Sequence, residues 1–179
     1  MATSGNDLSA FDANLLDDSA HFQVGIVVSD WNAEITHALR DGAIEVLLAA
    51  GIPEARLLIR SVPGAFETPL AAQWLLDDGQ CDGVICIAAV IRGETAHFDF
   101  VSSATAQGIQ QVSLTTKKPA IFCVLTDDNI EQSRARSCAA HGNKGVEAAA
   151  ACLQMLKLRS TLNTAKGTDK LSTWGAGMS

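Results

Sequence analysis

The sequence contains no tyrosine, and only 5% of its residues are aromatic. Basic residues are also scarce. There are 13 Lys and Arg against 20 Asp and Glu, a formal net charge of -7. Non-specific binding to a phosphate backbone needs clustered cations, so this balance argues against a nucleic-acid partner. An acidic chain can still hold a small anion, by concentrating positive potential at a helix start or on one well-placed Arg. No stretch reaches the ~20 apolar residues that a membrane span requires. Met1 to Ala20 are rich in Ser, Asp, Asn and Ala, with neither a basic start nor a long apolar run. They do not read as a signal peptide, and a cytoplasmic location is expected.

Several catalytic signatures are also missing. Cys81, Cys86, Cys123, Cys138 and Cys152 form no C-x-x-C pair and are odd in number. Buried thiols in a reducing compartment are the expected reading. The four histidines, His21, His37, His97 and His141, are scattered without carboxylates at ligand spacing, so no metal is expected. The chain has no G-x-S-x-G, no Walker loop, and no G-x-G-x-x-G after its first strand. Serine hydrolysis, nucleotide hydrolysis and hydride transfer thus lack their usual marks. No internal repeat is visible.

What is present is an apolar fraction of 47% in 179 residues, enough for one domain with a sizeable core. Residues 21–159 are expected to form it, between an N-terminal extension, 1–20, and a flexible C-terminal tail, 160–179. Gln23 to Ser29 is a short β-branched run and reads as a strand. Ile35, Leu39, Ala43, Val46, Leu47 and Ala50 then recur at helical spacing, closed by Gly51 and Pro53. Leu57 to Val62 is a second strand and Glu67 to Leu76 a second helix. Gly83 to Ile91 is a continuous apolar run, as suits a central parallel strand covered on both faces. Val101, Ala104, Thr105, Gly108, Ile109 and Val112 mark a third helix, and Ala120 to Thr126 a fourth strand. Asn129 with Gln132 resembles a capping box opening a helix to about Cys138. After a turn at His141 to Asn143, a last helix is expected from Lys144 to Leu158. That helix is apolar almost all round, which favours a neighbouring subunit on its outer face over an ordinary Ala-rich helix.

Strands alternating with helices predict a three-layer α/β sandwich. Its four-stranded, mostly parallel sheet would carry helices on both faces. Ligands in such folds bind beyond the carboxyl ends of the strands. Chain order alone therefore gathers four segments on one rim. They are Asp30-Trp31-Asn32, Val62 to Glu67, Arg92 to Phe98, and Asp127-Asp128-Asn129. Trp31 could stack on a planar heterocycle, or it could pack at a subunit contact. Glu67 could accept ligand hydroxyls, or simply sit well at a helix start. Gly93 allows close backbone approach, and Glu94, Thr95 and Ala96 lead into a helix start that suits a phosphate. His97 at that start is either a neutral proton acceptor or a plain cap. Arg136 could clamp a phosphate, or be a solvated helix charge. These residues by themselves point to an anion and a planar ligand at the rim, and no further.

Together the segments resemble lumazine synthases. The matching stretches are Trp31 to Thr36, Val62 to Glu67, and Val90 to Asp99. They are followed by Asn129 to Gln132, Arg136, and Gly142 to Gly145, and the similarity spans about Gln23 to Leu158. All four lie in the family's order and spacing. The resemblance implies a flavodoxin-like fold. It also implies condensation of 5-amino-6-ribitylamino-uracil with 3,4-dihydroxy-2-butanone 4-phosphate to 6,7-dimethyl-8-ribityllumazine, with no metal or organic cofactor. It gives Trp31 the pyrimidine, Ala65, Phe66 and Glu67 the ribityl chain and its surroundings, and the backbone around Ala89, Val90 and Ile91 the pyrimidine edge. Gly93, Glu94, Thr95 and Arg136 would hold the phosphate, and His97 would move protons. Phe122 and Lys144 also match site residues, Phe122 reaching a neighbour's site.

The resemblance further implies a homopentamer with sites between adjacent chains. A 60-subunit shell and an association with riboflavin synthase stay open, the short turn Ala139 to Asn143 favouring the shell. Glu94 departs from what a phosphate site wants, unless backbone N–H groups do the binding. The alternatives are an archaeal-type riboflavin synthase, a non-catalytic flavin or lumazine carrier or shell protein, and a flavodoxin-like FMN binder.

Overall fold

The computed structural model describes residues 19–138 and 142–172, with side chains through Asn163. The strands are β1 (Val24–Ser29), β2 (Leu57–Val62), β3 (Gly83–Ile91) and β4 (Ala120–Asp127). The helices are α1 (Ala33–Ala49), α2 (Thr68–Asp77), α3 (His97–Thr116), α4 (Ile130–Ser137) and α5 (Lys144–Ser172). Short 3-10 turns, Glu54–Arg56 and Ala65–Glu67, precede β2 and α2.

The four strands form one sheet in the order β2-β1-β3-β4, and every pairing is parallel. The expected antiparallel allowance is not needed, because each strand is followed by a helix that returns the chain to the same end. In this flavodoxin-like order, β1 and β3 run side by side while their connections leave in opposite directions. The crevice that results opens at their carboxyl ends.

Side-chain alternation builds two cores. Val24, Ile26 and Val28 point with Ile85 and Ile87 toward α1 and α5, where Leu39, Leu47, Leu153 and Leu156 are buried. Val27, Val84, Cys86 and Ala88 point the other way, toward Leu75, Leu76, Ile109 and Val112 of α2 and α3. β3 is buried on both sides for most of its length, as its unbroken apolar run predicts. α1 and α5 meet very closely: a Cβ on Gly145 would collide with the backbone carbonyl of Leu39.

Two expectations need correction. The helical backbone of α5 runs to Ser172 rather than ending at Leu158. No proline interrupts it, and Lys157, Leu158, Arg159 and Leu162 are good helix formers. The remainder of the expected tail, 173–179, lies outside the described residues, as do 1–18 of the extension and 139–141 of the turn on which the shell reading rests. In the single chain α5 is covered on one face only, and the expected neighbouring subunit concerns its outer face. Ala149, Cys152, Leu153 and Leu156 are buried, while Met155, Leu158 and Leu162 are exposed. Second, Cys81, Cys86, Cys123 and Cys152 are buried but Cys138 is exposed, because it ends the short polar helix α4.

Candidate active site

Each of the four strands delivers one loop to the carboxyl rim. At the end of β1, the Ser29 carbonyl accepts a hydrogen bond from the Thr36 side chain, Oγ1 lying 3.0 Å away. The turn then needs a left-handed residue, and Asn32 supplies it with φ 58°. Its Nδ2 donates to the Ala89 carbonyl at 2.8 Å, tying this turn to β3. Trp31 is thereby held on the rim, 73% exposed as a residue. No core position claims it.

Beyond β2, Asp30 N–H donates to the Val62 carbonyl at 2.8 Å, which joins the first two loops. Ala65 is buried and anchors the 3-10 turn, while Phe66 and Glu67 face outward. Gly64 lies between two of the candidates. A Cβ there would stand 3.0 Å from Glu67 Oε2 and 3.6 Å from Trp31 Cδ1. Glu67 and Trp31 therefore share one small space, which the missing side chain of Gly64 keeps open.

Beyond β3, Ala89 is buried, Val90 and Ile91 are half-buried, and Arg92 to His97 are exposed. α3 begins at His97, whose N–H donates to Thr95 Oγ1 at 3.4 Å. The expected loop leading to a helix start is thus present, with Gly93 unobstructed within 4 Å of where its Cβ would be. Arg92 fastens this loop. Its Nε donates to Asp128 Oδ1 at 3.0 Å, and its Nη2 to Asp99 Oδ1 at 3.2 Å. Its guanidinium lies 4.1 Å from the centre of the Phe98 ring. The bond to Asp99 chiefly holds the Arg92 pKa above its ordinary value.

At the end of β4, Asp127 is buried and accepts from Ser133 Oγ at 2.7 Å. Arg136 Nη1 pairs with Asp127 Oδ1 at 3.3 Å and donates to the Gln132 carbonyl at 2.9 Å. The Asn129 side chain caps α4 as expected, accepting from Gln132 N–H at 3.0 Å. Gln132 Oε1 returns the bond to Asp128 N–H rather than to Asn129. A second ion pair, Arg134 with Glu34 at 3.0 Å, fixes α4 to α1 and lowers the Glu34 pKa, chiefly through the hydrogen bond.

The candidates thus fall into two groups on one chain. Trp31, Ala65 to Glu67, Ala89 to Ile91 and Gly93 to His97 surround the β1–β3 crevice. Phe122, Arg136 and Lys144 instead line an open groove of about 560 Å³ along the edge strand β4. Glu147 lines it too, its carboxylate 2.7 Å from Lys144 Nζ. None of Trp31, Glu67 and His97 borders that groove. Reading by residue type missed Gly64, Asn32, Arg92 and Glu147. The dipeptide Pro63-Gly64 was a turn signal that could have marked the first; the other three act through contacts distant in sequence or across a helical turn.

A flavodoxin-like sheet with a flat ring, a carboxylate and a helix start at its switch point defines a small-molecule enzyme of the doubly wound α/β class. Comparison with known proteins gives the particular kind. Residues 21–160 match the family described as 6,7-dimethyl-8-ribityllumazine synthase. A protein of that name from Christiangramia forsetii is 45% identical over 168 residues, 93% of this chain and 100% of the relative. Another of that name from Cytophaga hutchinsonii is 48% identical over 156 residues, 87% of this chain and 98% of the relative. A third from Parabacteroides distasonis is 39% identical, with 87% of this chain and 98% of the relative covered. The chain belongs to the 6,7-dimethyl-8-ribityllumazine synthase family, whose members are transferases.

Proposed function

We propose that the chain condenses 5-amino-6-(D-ribitylamino)uracil with 3,4-dihydroxy-2-butanone 4-phosphate, releasing phosphate and water, in sites built from two adjoining copies. Family membership carries the reaction. The division of candidates between the β1–β3 crevice and the β4 groove carries the shared site, because neither group alone has a ring, a proton carrier and a phosphate clamp.

In this reading one copy presents Trp31 to the pyrimidine ring, where flat faces stack. Backbone around Ala89, Val90 and Ile91 reads the ring's edge, and Phe66 and Glu67 meet the ribityl chain beside Ala65. Gly93, Glu94 and Thr95 bring backbone N–H groups to the phosphate, with the Glu94 side chain turned to solvent. A neighbouring copy supplies Phe122, Lys144 and Arg136. Arg136 spends Nη1 on Asp127 and Gln132, and its side chain remains 43% exposed. The pairing orients the fork without burying it, which suits a bidentate hold on phosphate oxygens.

The chemistry asks little more of the protein. The primary amine condenses with the ketone to an imine and water leaves. Phosphate departs by elimination, and the ribitylated nitrogen adds to the carbonyl carbon that this unmasks, closing the ring as a second water leaves. Both reactants are already reactive, so holding them together supplies much of the acceleration. His97, at the mouth of the phosphate loop, moves protons as phosphate leaves and the ring closes, worth typically ~10²–10⁴-fold. A pentameric ring satisfies the geometry, since a head-to-tail contact that closes gives every copy the same two neighbours. The 60-subunit shell, riboflavin synthase association and a cytoplasmic location remain parts of this reading. No helix among the described residues is long and apolar enough to cross a membrane. The test is an absorbance assay: lumazine should accumulate only when both precursors are present, and its absence would overturn the assignment.

A further inference from the structure

We propose that Arg92 is the positioning residue of the phosphate loop, acting as a clasp that sets Gly93 to His97 rather than touching substrate. The inference rests on the reading of that loop as the phosphate site. Its observations are independent of it.

Arg92 stands immediately before the loop and Asp99 just after it. The ion pair between them, 3.2 Å from Nη2 to Oδ1, with a longer Nη1 bond of 3.5 Å to Oδ2, therefore closes residues 93–98 into a ring. The ring is anchored at three points. The Arg92 N–H donates to the Asp127 carbonyl at 2.9 Å, fixing the backbone to β4. Arg92 Nε donates to Asp128 Oδ1 at 3.0 Å, fixing the side chain to the next loop. The guanidinium face rests 4.1 Å from the centre of Phe98, whose own ring is buried.

The guanidinium therefore has one edge on Asp99, its Nε on Asp128 and a face on an aromatic ring. Two carboxylates already offset its charge. Such a group is a poor phosphate ligand and a good spacer, because the planar fork fixes both distance and angle where a lysine would fix only charge. A Cβ on Gly93 would meet nothing within 4 Å, and Glu94 to His97 are exposed. The clasp thus adds side-chain ties at both ends of a segment that otherwise rests on its own backbone and the start of α3. A displacement of about 1 Å in a reacting group can cost on the order of a hundredfold in rate.

Charge and geometry predict opposite signs for one substitution, and this makes the test decisive. Asp99→Ala removes a negative charge near the phosphate. If field alone matters, phosphate binds more tightly; if the clasp matters, it binds more weakly. The assembled full-length protein and its variants Arg92→Gln, Arg92→Lys and Asp99→Ala are compared by two readouts. One is binding of inorganic phosphate by titration calorimetry; the other is steady-state lumazine formation with each substrate varied. Thermal melts and sedimentation confirm folding and assembly.

The expected result is about a tenfold or greater weakening of phosphate binding in Arg92→Gln and in Asp99→Ala. KM for the phosphorylated substrate should rise with it, that for the pyrimidine should stay within about twofold, and Arg92→Lys should recover only part of the loss. Tighter phosphate in Asp99→Ala, or unchanged phosphate binding in Arg92→Gln, overturns the proposal. If Arg92→Gln fails to assemble, Asp99→Ala alone decides by its sign. Should the unaltered protein bind phosphate but form no lumazine, the assigned reaction falls while the calorimetry still judges the clasp. Should it bind no phosphate at all, the clasp falls with the site.

Discussion

Replacing Gly145 by Ala tests the packing that sets Lys144 in place. Gly145 opens α5 against α1. A Cβ built there falls inside the Leu39 carbonyl oxygen, with the Leu39 carbonyl carbon 2.7 Å and Asn143 Oδ1 3.0 Å away. Asn143 cannot yield freely, since its amide donates to the Ala38 carbonyl at 2.8 Å and its oxygen accepts from Gly145 N–H at 2.8 Å. The carbonyl belongs to buried Leu39 in the middle of α1 and cannot swing aside, so α5 must withdraw by roughly 1–2 Å to reach ordinary contact. Overpacking of this kind costs about 3 kcal/mol at the upper end of its usual range. Alanine returns about 1 kcal/mol as a better helix former than glycine. The net loss is about 2 kcal/mol, or a Tm lower by about 4–8 °C for a chain of this size. Melts at matched protein concentration measure it, because association alone shifts Tm. Gly93→Ala is the control. Nothing lies within 4 Å of its added carbon, so its stability should change by less than about 0.5 kcal/mol. A Gly145→Ala protein melting at or above the parent would refute the described contact between α1 and α5.

Other outcomes follow from the site and the core. His97→Ala should slow lumazine formation yet leave clear residual turnover, since proximity remains; an unchanged steady-state rate would remove His97 from the proton path. Arg136→Ala should raise KM for the phosphorylated substrate by about tenfold or more, the worth of a charge-assisted pair, and an unchanged KM would count against the clamp. Burial pushes the Cys81 thiol up to about 11 and the Cys123 and Cys152 thiols up to about 12, and drives Cys86 in the same direction. Among these four and Cys138, only Cys138 should react promptly with a disulfide reagent near pH 8, and four fast thiols would contradict the packing. The same shifts set a pH window. Neutral thiols are favoured in the folded state, so their contribution is complete below about pH 9 and is lost as pH rises through 11 and 12. Denaturant midpoints should fall over that range and hold steady between pH 7 and 8.

How far the sequence spoke depends on the range of the interaction. β3 was legible because an unbroken apolar run of that length has few other uses, and the cap at Asn129 because its partner lies three residues on. The rim was legible because an alternating chain must bring its strand ends together. The division of the rim was legible only through the family resemblance, which sent Phe122 to a neighbour's site, and not in the residues themselves. It follows from β4 being an edge strand, and strand order is decided by packing across the whole sheet. The Arg92 clasp joins residues from two loops, and Asn32 reaches from the first turn to the third strand, so neither leaves a local pattern. The extension of α5 was missed because Gly, Ser, Thr and Lys near a terminus read as a tail, although all but Gly are tolerated in a helix.

The central claim is that neighbouring copies complete each other's sites, and subunit mixing tests it most directly. His97→Ala and Arg136→Ala chains are each purified, dissociated together and reassembled, and lumazine formation is compared with the two separate preparations. Random arrangement around a ring places an intact crevice against an intact β4 groove at about a quarter of sites, so turnover should climb toward about a quarter of the parent's. A mixture no more active than the average of its two components would contradict the shared site.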